Sequence, residues 1–441
     1  MQAIDLAMRI LLSPILVGAV AATLPMGTSR AEAEDNAETV FHEARGYTVR
    51  IRTQIPTPFI EDERGSFDGA GFLVDAERGW VITNAHVVGR SPSAIQVAFA
   101  DQPYHPARKI YVDPFEDIAV IELSEVDHTH PTAPLNCEGR PEVGESVGAF
   151  GHPLGMPFTG SRGIISGETD KFGPDLIQID ATVDRGNSGG PVISLRDGTV
   201  VGIATAMAGN KKEDRLNFAT PIRNACRILD RLRAGDSPSP PQMAVVLLKD
   251  EDGRLTLQVE STHDPEHWPL AQGDRILGVE GADSARTVGE IVNTLRGRTG
   301  KVPLVVERDG RRQTVGITPA LRPSLIERRG ISIDGALIAP IAFEDALTLR
   351  EPAPLIVQSV EPGSTAEMLE IGPQDIIRSV DGQPFDDLDR LVEYLTGRPE
   401  GTPLTIVLRR WSQEQNRIFD YHLRQLPGED VYLVEPDGSQ N

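Results

Sequence analysis

The chain has 441 residues, room for roughly three domains at about 150 residues each, which excludes a single small module or a peptide hormone. Lys and Arg number 43 against 65 Asp and Glu, a net charge of -22, and that field excludes nucleic acid and anionic lipid surfaces as general partners. The 42 glycines and 34 prolines make about one residue in six, above the usual one in eight or so, and argue for short strands and many turns in a mainly β chain.

Residues 10–24 form an apolar run after Arg9, and Ala31-Glu32-Ala33 follows it. This is the layout of a secretory signal peptide over residues 1–33, and the expected mature protein is exported, for example to a periplasm. A retained anchor is the competing reading. The run contains Pro14 and is shorter than the roughly 18 apolar residues that a spanning helix needs. The two cysteines, Cys137 and Cys226, are too few for a disulfide scaffold, and the sequence leaves open whether they pair.

From residue 47 to 205 the sequence reads as short β-runs such as Trp80-Val81-Ile82-Thr83 and Ile118-Ala119-Val120-Ile121, the pattern of a barrel or sandwich. Pro221 then opens a helix with Ile222, Cys226, Leu229 and Leu232 on one face. The first domain is expected over 34–233, followed by a Pro- and Ser-rich linker at 234–241. Beyond it the chain repeats itself. Gly273-Asp274-Arg275-Ile276-Leu277 is answered by Pro373-Gln374-Asp375-Ile376-Ile377, and Ile291, Val292, Leu295, Gly297 and Arg298 recur one hundred positions later. Two copies of one module are expected, over 242–320 and 328–426, with a tail at 427–441.

Gly186-Asn187-Ser188-Gly189-Gly190-Pro191 carries the strongest chemical signal. A serine between glycines projects its hydroxyl from a tight turn, and the amides of Gly186, Asn187 and Ser188 are placed to converge on an oxyanion. The string also satisfies the nucleophile pattern of α/β-hydrolases. Chain order argues against that fold, because Pro191-Val192-Ile193-Ser194 reads as a strand and the best histidine lies upstream. That histidine is His86 in Thr83-Asn84-Ala85-His86, and Asp117 stands at the mouth of an apolar strand. In this order they supply a base, an orienting acid and a nucleophile for acyl transfer. Asp113 is the rival acid, although Asp113-Pro114 reads as a turn.

These three motifs together resemble the high-temperature-requirement (HtrA/Deg) family of chymotrypsin-like serine proteases, and the trailing repeats resemble PDZ domains. Gly151-His152-Pro153-Leu154-Gly155 and Asn217-Phe218-Ala219-Thr220-Pro221 fall where that family carries comparable segments. The resemblance implies a double β-barrel protease domain followed by two PDZ-like domains, without a cofactor. The implied activity is an ATP-independent endopeptidase acting in protein quality control and stress response on unfolded or damaged proteins. It further implies a homotrimer or larger assembly, involving residues 41–59. By the same resemblance the pocket for the residue before the scissile bond has Thr182 as its floor and Thr205, Ala206 and Met207 as walls, so aliphatic side chains should fit and basic ones should not.

The family usually has Asn where His152 and Asp184 stand. The first repeat lacks the Pro-Gly-Ser turn that the second has at Pro362-Gly363-Ser364 and reads as degenerate. The second is expected to take C-terminal peptides along Gly330, Ile331, Ser332 and Ile333, beside Leu391, Val392 and Leu395 of a neighbouring helix. Asp127, His128 and His130 lack further spaced ligands, so no metal is expected there. The pairs Arg328-Arg329 and Arg409-Arg410 read as solvated charges. The rival for the whole chain is a non-proteolytic peptide-binding or chaperone-like scaffold on the same fold.

Overall fold

The structure, a computed structural model, describes residues 29–125, 128–152, 158–170, 174–206, 216–282, 284–341, 355–399, 401–411 and 419–440. Most of the expected signal segment therefore lies outside the described residues. The position after Ala33 falls within the first helix, α1 (Ser29–Tyr47). No helix among the described residues is long and apolar enough to cross a membrane. Ala37, Val40, Ala44 and Tyr47 recur every three or four residues along α1 and are all buried, which fixes this helix by an apolar stripe.

Twelve strands follow and close into two barrels. The first joins β1 (Thr48–Ile55), β2 (Gly65–Asp75), β3 (Trp80–Thr83), β4 (Ala94–Ala98), β5 (His105–Asp113) and β6 (Ile118–Leu123) in the order β1-β2-β3-β6-β5-β4. The second joins β7 (Ser146–Gly151), β8 (Thr159–Thr169), β9 (Leu176–Ile179), β10 (Pro191–Ser194), β11 (Val200–Ala206) and β12 (Asn217–Pro221) in the order β10-β11-β12-β9-β8-β7. Closure pairs every edge, so short strands suffice. A single-turn helix, α2 (Ala85–Val88), follows β3.

The barrels meet at very close range. Ala70 N–H of the first barrel donates to Ser188 O of the second at 2.8 Å, while Ala70 O accepts from Thr83 Oγ1 of its own barrel at 2.7 Å. A Cβ on Gly189, which has φ 86°, would stand 2.2 Å from Ala70 O, so only glycine fits there.

Helix α3 (Ile222–Ala234) closes the double-barrel part, with Pro221 at its N-cap and Gly235 left-handed at its C-cap. Its Cys226 is bonded to Cys137 across 89 residues of chain, which settles the pairing that the sequence left open. The linker is not free chain. Pro238, Ser239, Pro240 and Pro241 are buried, and Gly297 N–H donates to Ser239 O at 2.8 Å.

The first repeat is a five-stranded sheet of β13 (Val245–Lys249), β14 (Leu255–Thr262), β15 (Arg275–Val279), β16 (Val302–Arg308) and β17 (Arg311–Ile317), with helix α4 (Val288–Leu295). The second is a seven-stranded sheet ordered β23-β22-β21-β20-β19-β18-β24. Its strands are β18 (Gly330–Ile333), β19 (Ala336–Pro340), β20 (Leu355–Val360), β21 (Ile376–Val380), β22 (Leu404–Trp411), β23 (Phe419–Leu426) and β24 (Val431–Val434). Helices α5 (Thr365–Met368) and α6 (Leu388–Thr396) accompany it. The repeat signature is an ion pair. Arg308 grips Asp274 through two hydrogen bonds of 2.7 and 2.6 Å, and Arg410 grips Asp375 through two of 2.6 Å.

Two expectations fail here. Arg410 is paired rather than solvated, and so is Arg328, which reaches Glu61 at 3.2 Å and lies over the Phe59 ring. The tail is not outside the fold either, because β24 pairs antiparallel with β18 and completes its sheet.

Candidate active site

The two barrels bring His86, Asp117 and Ser188 to their junction. Asp117 ends the four-residue turn between β5 and β6, and it sits there at φ 53°, a costly conformation for a non-glycine residue that needs external support. Support comes from Asn84, whose Nδ2 donates to Asp117 O at 2.8 Å. His86 stands in α2, and its Nδ1 lies 2.8 Å from Asp117 Oδ2 and 3.0 Å from Oδ1. The backbone N–H of His86 adds a donation to Oδ1 at 3.0 Å. Thr205 Oγ1, from β11 of the other barrel, donates to Oδ2 at 2.9 Å.

This network places the Nδ1 proton toward Asp117 and leaves Nε2 for chemistry. Desolvation works to lower the His86 pKa, but the Asp117 hydrogen bond and charge outweigh it and hold the imidazole above its ordinary value. The His86 side chain is about half exposed, so Nε2 is open to a substrate.

Two consecutive turns carry Ser188, which is the second residue of the latter. Asn187 N–H donates to Asp184 O at 3.0 Å, and Gly190 N–H donates to Asn187 O at 2.9 Å. Each turn has a left-handed glycine at its third position, Gly186 at φ 101° and Gly189 at φ 86°, the requirement of type II geometry. The expected trio of oxyanion donors is thereby corrected. The Asn187 amide is spent inside the first turn, so the Gly186 and Ser188 amides remain as the candidate pair. Among the described residues, buried Asn187 Oδ1 has no hydrogen-bond partner. Among the described residues the Ser188 hydroxyl forms no hydrogen bond with His86, an open link of the kind that substrate binding closes.

His152 shapes the flank of this turn. Its backbone N–H donates to Gly186 O at 3.1 Å, its Nδ1 accepts from Phe158 N–H at 3.1 Å, and its ring meets Phe158 edge-on at 4.3 Å. The rival acid, Asp113, is buried elsewhere, in an ion pair with Arg296 at 2.5 Å.

The pocket expectation fares unevenly. Thr182 is exposed, and its carbonyl accepts from Ser161 Oγ at 2.7 Å. The Thr205 hydroxyl is turned to Asp117, so its side chain is committed to the triad rather than to the pocket. The backbone of Ala206 pairs with Asn217 in β12, and Met207 lies outside the described residues.

The expected peptide edge is also corrected. Ile331 and Ile333 are 1% and 0% exposed, and β18 is paired with β19 on one side and with β24 on the other. Leu391 and Leu395 are core residues and Val392 packs against the same core, so the chain itself occupies this edge. Strand addition needs unpaired backbone groups, and β18 has no free edge.

Of the other histidines, His128 Nδ1 meets Ala76 O at 2.9 Å and His130 stacks on Phe99 at 3.7 Å, while Asp127 lies outside the described residues.

Acyl transfer is the chemistry that needs a carboxylate-held imidazole beside a serine in an amide-lined turn, and paired six-stranded barrels carrying it define the chymotrypsin-like serine endopeptidases. Residues 69–203 match the trypsin-like peptidase domain family and residues 356–410 the PDZ domain family. A probable periplasmic serine endoprotease DegP-like from Chlamydia pneumoniae is 30% identical over 349 residues, covering 73% of this chain and 70% of that protein. Its namesake in Brucella suis biovar 1 (strain 1330) is 27% identical over 394 residues, covering 82% and 75%. The chain belongs to this DegP-like, HtrA family of serine proteases. The solved HtrA-type protease AlgW with tripeptide shares the fold at a TM-score of 0.53 and 24% identity, covering 65% of this chain and 97% of that one.

Proposed function

We propose that the protein is an exported, ATP-independent endopeptidase that degrades unfolded or damaged proteins. The observation carrying this reading is the imidazole of His86 locked to Asp117 by three donors, next to a serine whose turn leaves two amides unspent. In this reading His86 Nε2 takes the Ser188 proton as the hydroxyl attacks the scissile carbonyl, and returns it to the leaving amine. Asp117 holds the ring and stabilises its charged form. The Gly186 and Ser188 amides receive the oxyanion, and water then resolves the acyl-enzyme by the same base. The cycle uses protein groups and water alone.

Export is supported by the relatives' description as periplasmic endoproteases. In this reading the protease spans 34–233 and the repeats 242–320 and 328–426, with the segment 427–441 adding β24 to the second sheet. At the scissile bond, uncharged Thr182 favours aliphatic over basic side chains. Peptides reach the second repeat only when β24 leaves β18. Assembly into a trimer or larger homo-oligomer belongs to this reading, although Phe59 is already covered by Leu337, Ala339 and Val434 of the same chain.

The test is cleavage of an unfolded substrate such as reduced casein by the wild type and by Ser188→Ala. Loss of several orders of magnitude in turnover is expected, since triad members act as a unit. Equal cleavage by both proteins would sink the assignment, and an inactive wild type would favour the peptide-binding scaffold.

A further inference from the structure

The turn that carries Asp117 is gripped from outside the protease domain. Asp113, at the start of the turn, accepts from the N–H groups of Phe115 and Glu116 at 3.0 and 3.2 Å, and its other oxygen meets Arg296 Nη1 at 2.5 Å. Arg296 lies just past the C-terminus of α4 in the first repeat, and its side chain is 1% exposed. The same nitrogen donates to Tyr111 Oη and to Pro238 O, each at 2.8 Å.

Glu116, the residue before Asp117, has a fully buried carboxylate. Asn293 of α4 donates to its Oε1 at 2.7 Å, and Asn224 of α3 donates to its Oε2 at 2.8 Å. Arg296 Nη2 lies 4.0 Å away, and Arg296 Nε donates to Asn293 Oδ1 at 3.1 Å. Burial and the charge of Asp113 push the Glu116 carboxyl up to about 7 against the pull of Arg296 and the two amides.

A solubility or tethering role for the first repeat would not require a buried arginine there. A buried ion pair is a weak source of net stability but a strong specifier of geometry when every partner is in place. The geometry in question is that of a residue held at positive φ one peptide bond away from Glu116.

We propose that Arg296 and Asn293 of the first repeat are positioning residues for the protease, fixing the Asp113 to Asp117 turn so that Asp117 meets His86. The first repeat is then a built-in part of the catalytic apparatus, and it acts without binding a peptide. This rests on the assignment of Asp117 as the orienting acid. The wild-type assay tests that assignment separately, because the full chain must cleave before any variant is read.

The experiment compares full-length wild type, Arg296→Met and Asn293→Leu on one peptide substrate, with competent sites counted by fluorophosphonate titration. Each variant is expected to lower kcat per competent site by about tenfold or more with KM changed by less than about twofold, the pattern of a lost transition-state contribution. Arg64→Ala, at an exposed contact of the second repeat, serves as the control with wild-type kcat. Should Arg296→Met fail to fold, Asn293→Leu carries the test, since it removes one amide and no charge. Unchanged kcat per competent site in Asn293→Leu would overturn the proposal, as would a loss shared equally by Arg64→Ala.

Discussion

The two repeats share a sheet, a helix and an internal Asp–Arg pair, yet they are fastened to the protease in different ways. The first is joined through the buried cluster of Tyr111, Asp113, Glu116, Asn293 and Arg296. The second rests on Phe59, on the largely buried Arg328–Glu61 pair at 3.2 Å, and on a pair nearer the surface, Arg64–Glu361 at 3.3 Å with both side chains about half exposed. It is also strapped by the tail, where Ser93 N–H donates to Pro436 O at 3.1 Å and Gln440 Nε2 donates to Thr57 Oγ1 at 3.2 Å. The charges of the first seam are fully buried, whereas the second seam mixes a largely buried pair with an exposed one. Buried charges lose heavily when a partner is removed, whereas exposed ones are replaced by water.

The contrast between the seams is tested most directly at their charges. Arg296→Ala leaves Asp113 and Glu116 buried without their cation and should cost about 3–5 kcal/mol in denaturant unfolding of the full chain. Arg64→Ala should cost less than about 1 kcal/mol. Equal costs would mean that the two seams do not differ in kind.

A smaller effect is expected at the tail. Asp334 accepts from the N–H groups of Gly428, Glu429 and Asp430 at 2.7, 3.0 and 3.0 Å, so a chain ending after Asp430 keeps that latch and loses only β24 and the short C-terminal segment beyond it. Burial of Val434 contributes about 2 kcal/mol to the strap. The truncated chain should lose amide exchange protection along β18 and gain binding of C-terminal peptides by calorimetry. Protection that survives truncation would show that β19 alone holds this edge, and the tail would not be its cover.

How much of this is written locally in the chain differs from feature to feature. The serine turn is legible because two left-handed glycines and a small nucleophile leave few alternative conformations. The order of His86, Asp117 and Ser188 is legible because each stands within three residues of an end of an apolar strand. The spent amide of Asn187 is a matter of peptide orientation inside a turn, and composition does not encode it. Thr205 is assigned to Asp117 by contact between barrels. Partnerships across long stretches are the least legible: Cys137 with Cys226, Arg296 with Asp113, and β24 with β18. In each case both residue types are visible, but only the fold brings them together. Arg328 and Arg410 misled for the same reason, since arginines isolated from other basic residues look solvated until partners distant in the chain, Glu61 and Asp375, arrive.

The finest distinction between the seams is expected in the pH dependence of cleavage. His86 must be neutral to act as base, and Asp117 holds its pKa above the ordinary value of 6.5. The kcat/KM profile should therefore rise with pH through a midpoint above that value. The sign for stability is opposite. A raised folded-state value means that the His86–Asp117 pair contributes most below the unfolded value and fades as pH rises through the folded one, so activity appears as that contribution is lost. If the first repeat sets the position of Asp117, Asn293→Leu loosens the carboxylate, weakens its hold on the imidazolium and moves the midpoint toward lower pH. A shift of well under one pH unit, equivalent to less than about 1.4 kcal/mol, is expected because the three donors at Asp117 remain. Truncation after Asp430 acts on the other seam and should leave the midpoint in place. A profile that moves with truncation and not with Asn293→Leu would reverse the roles assigned to the two repeats.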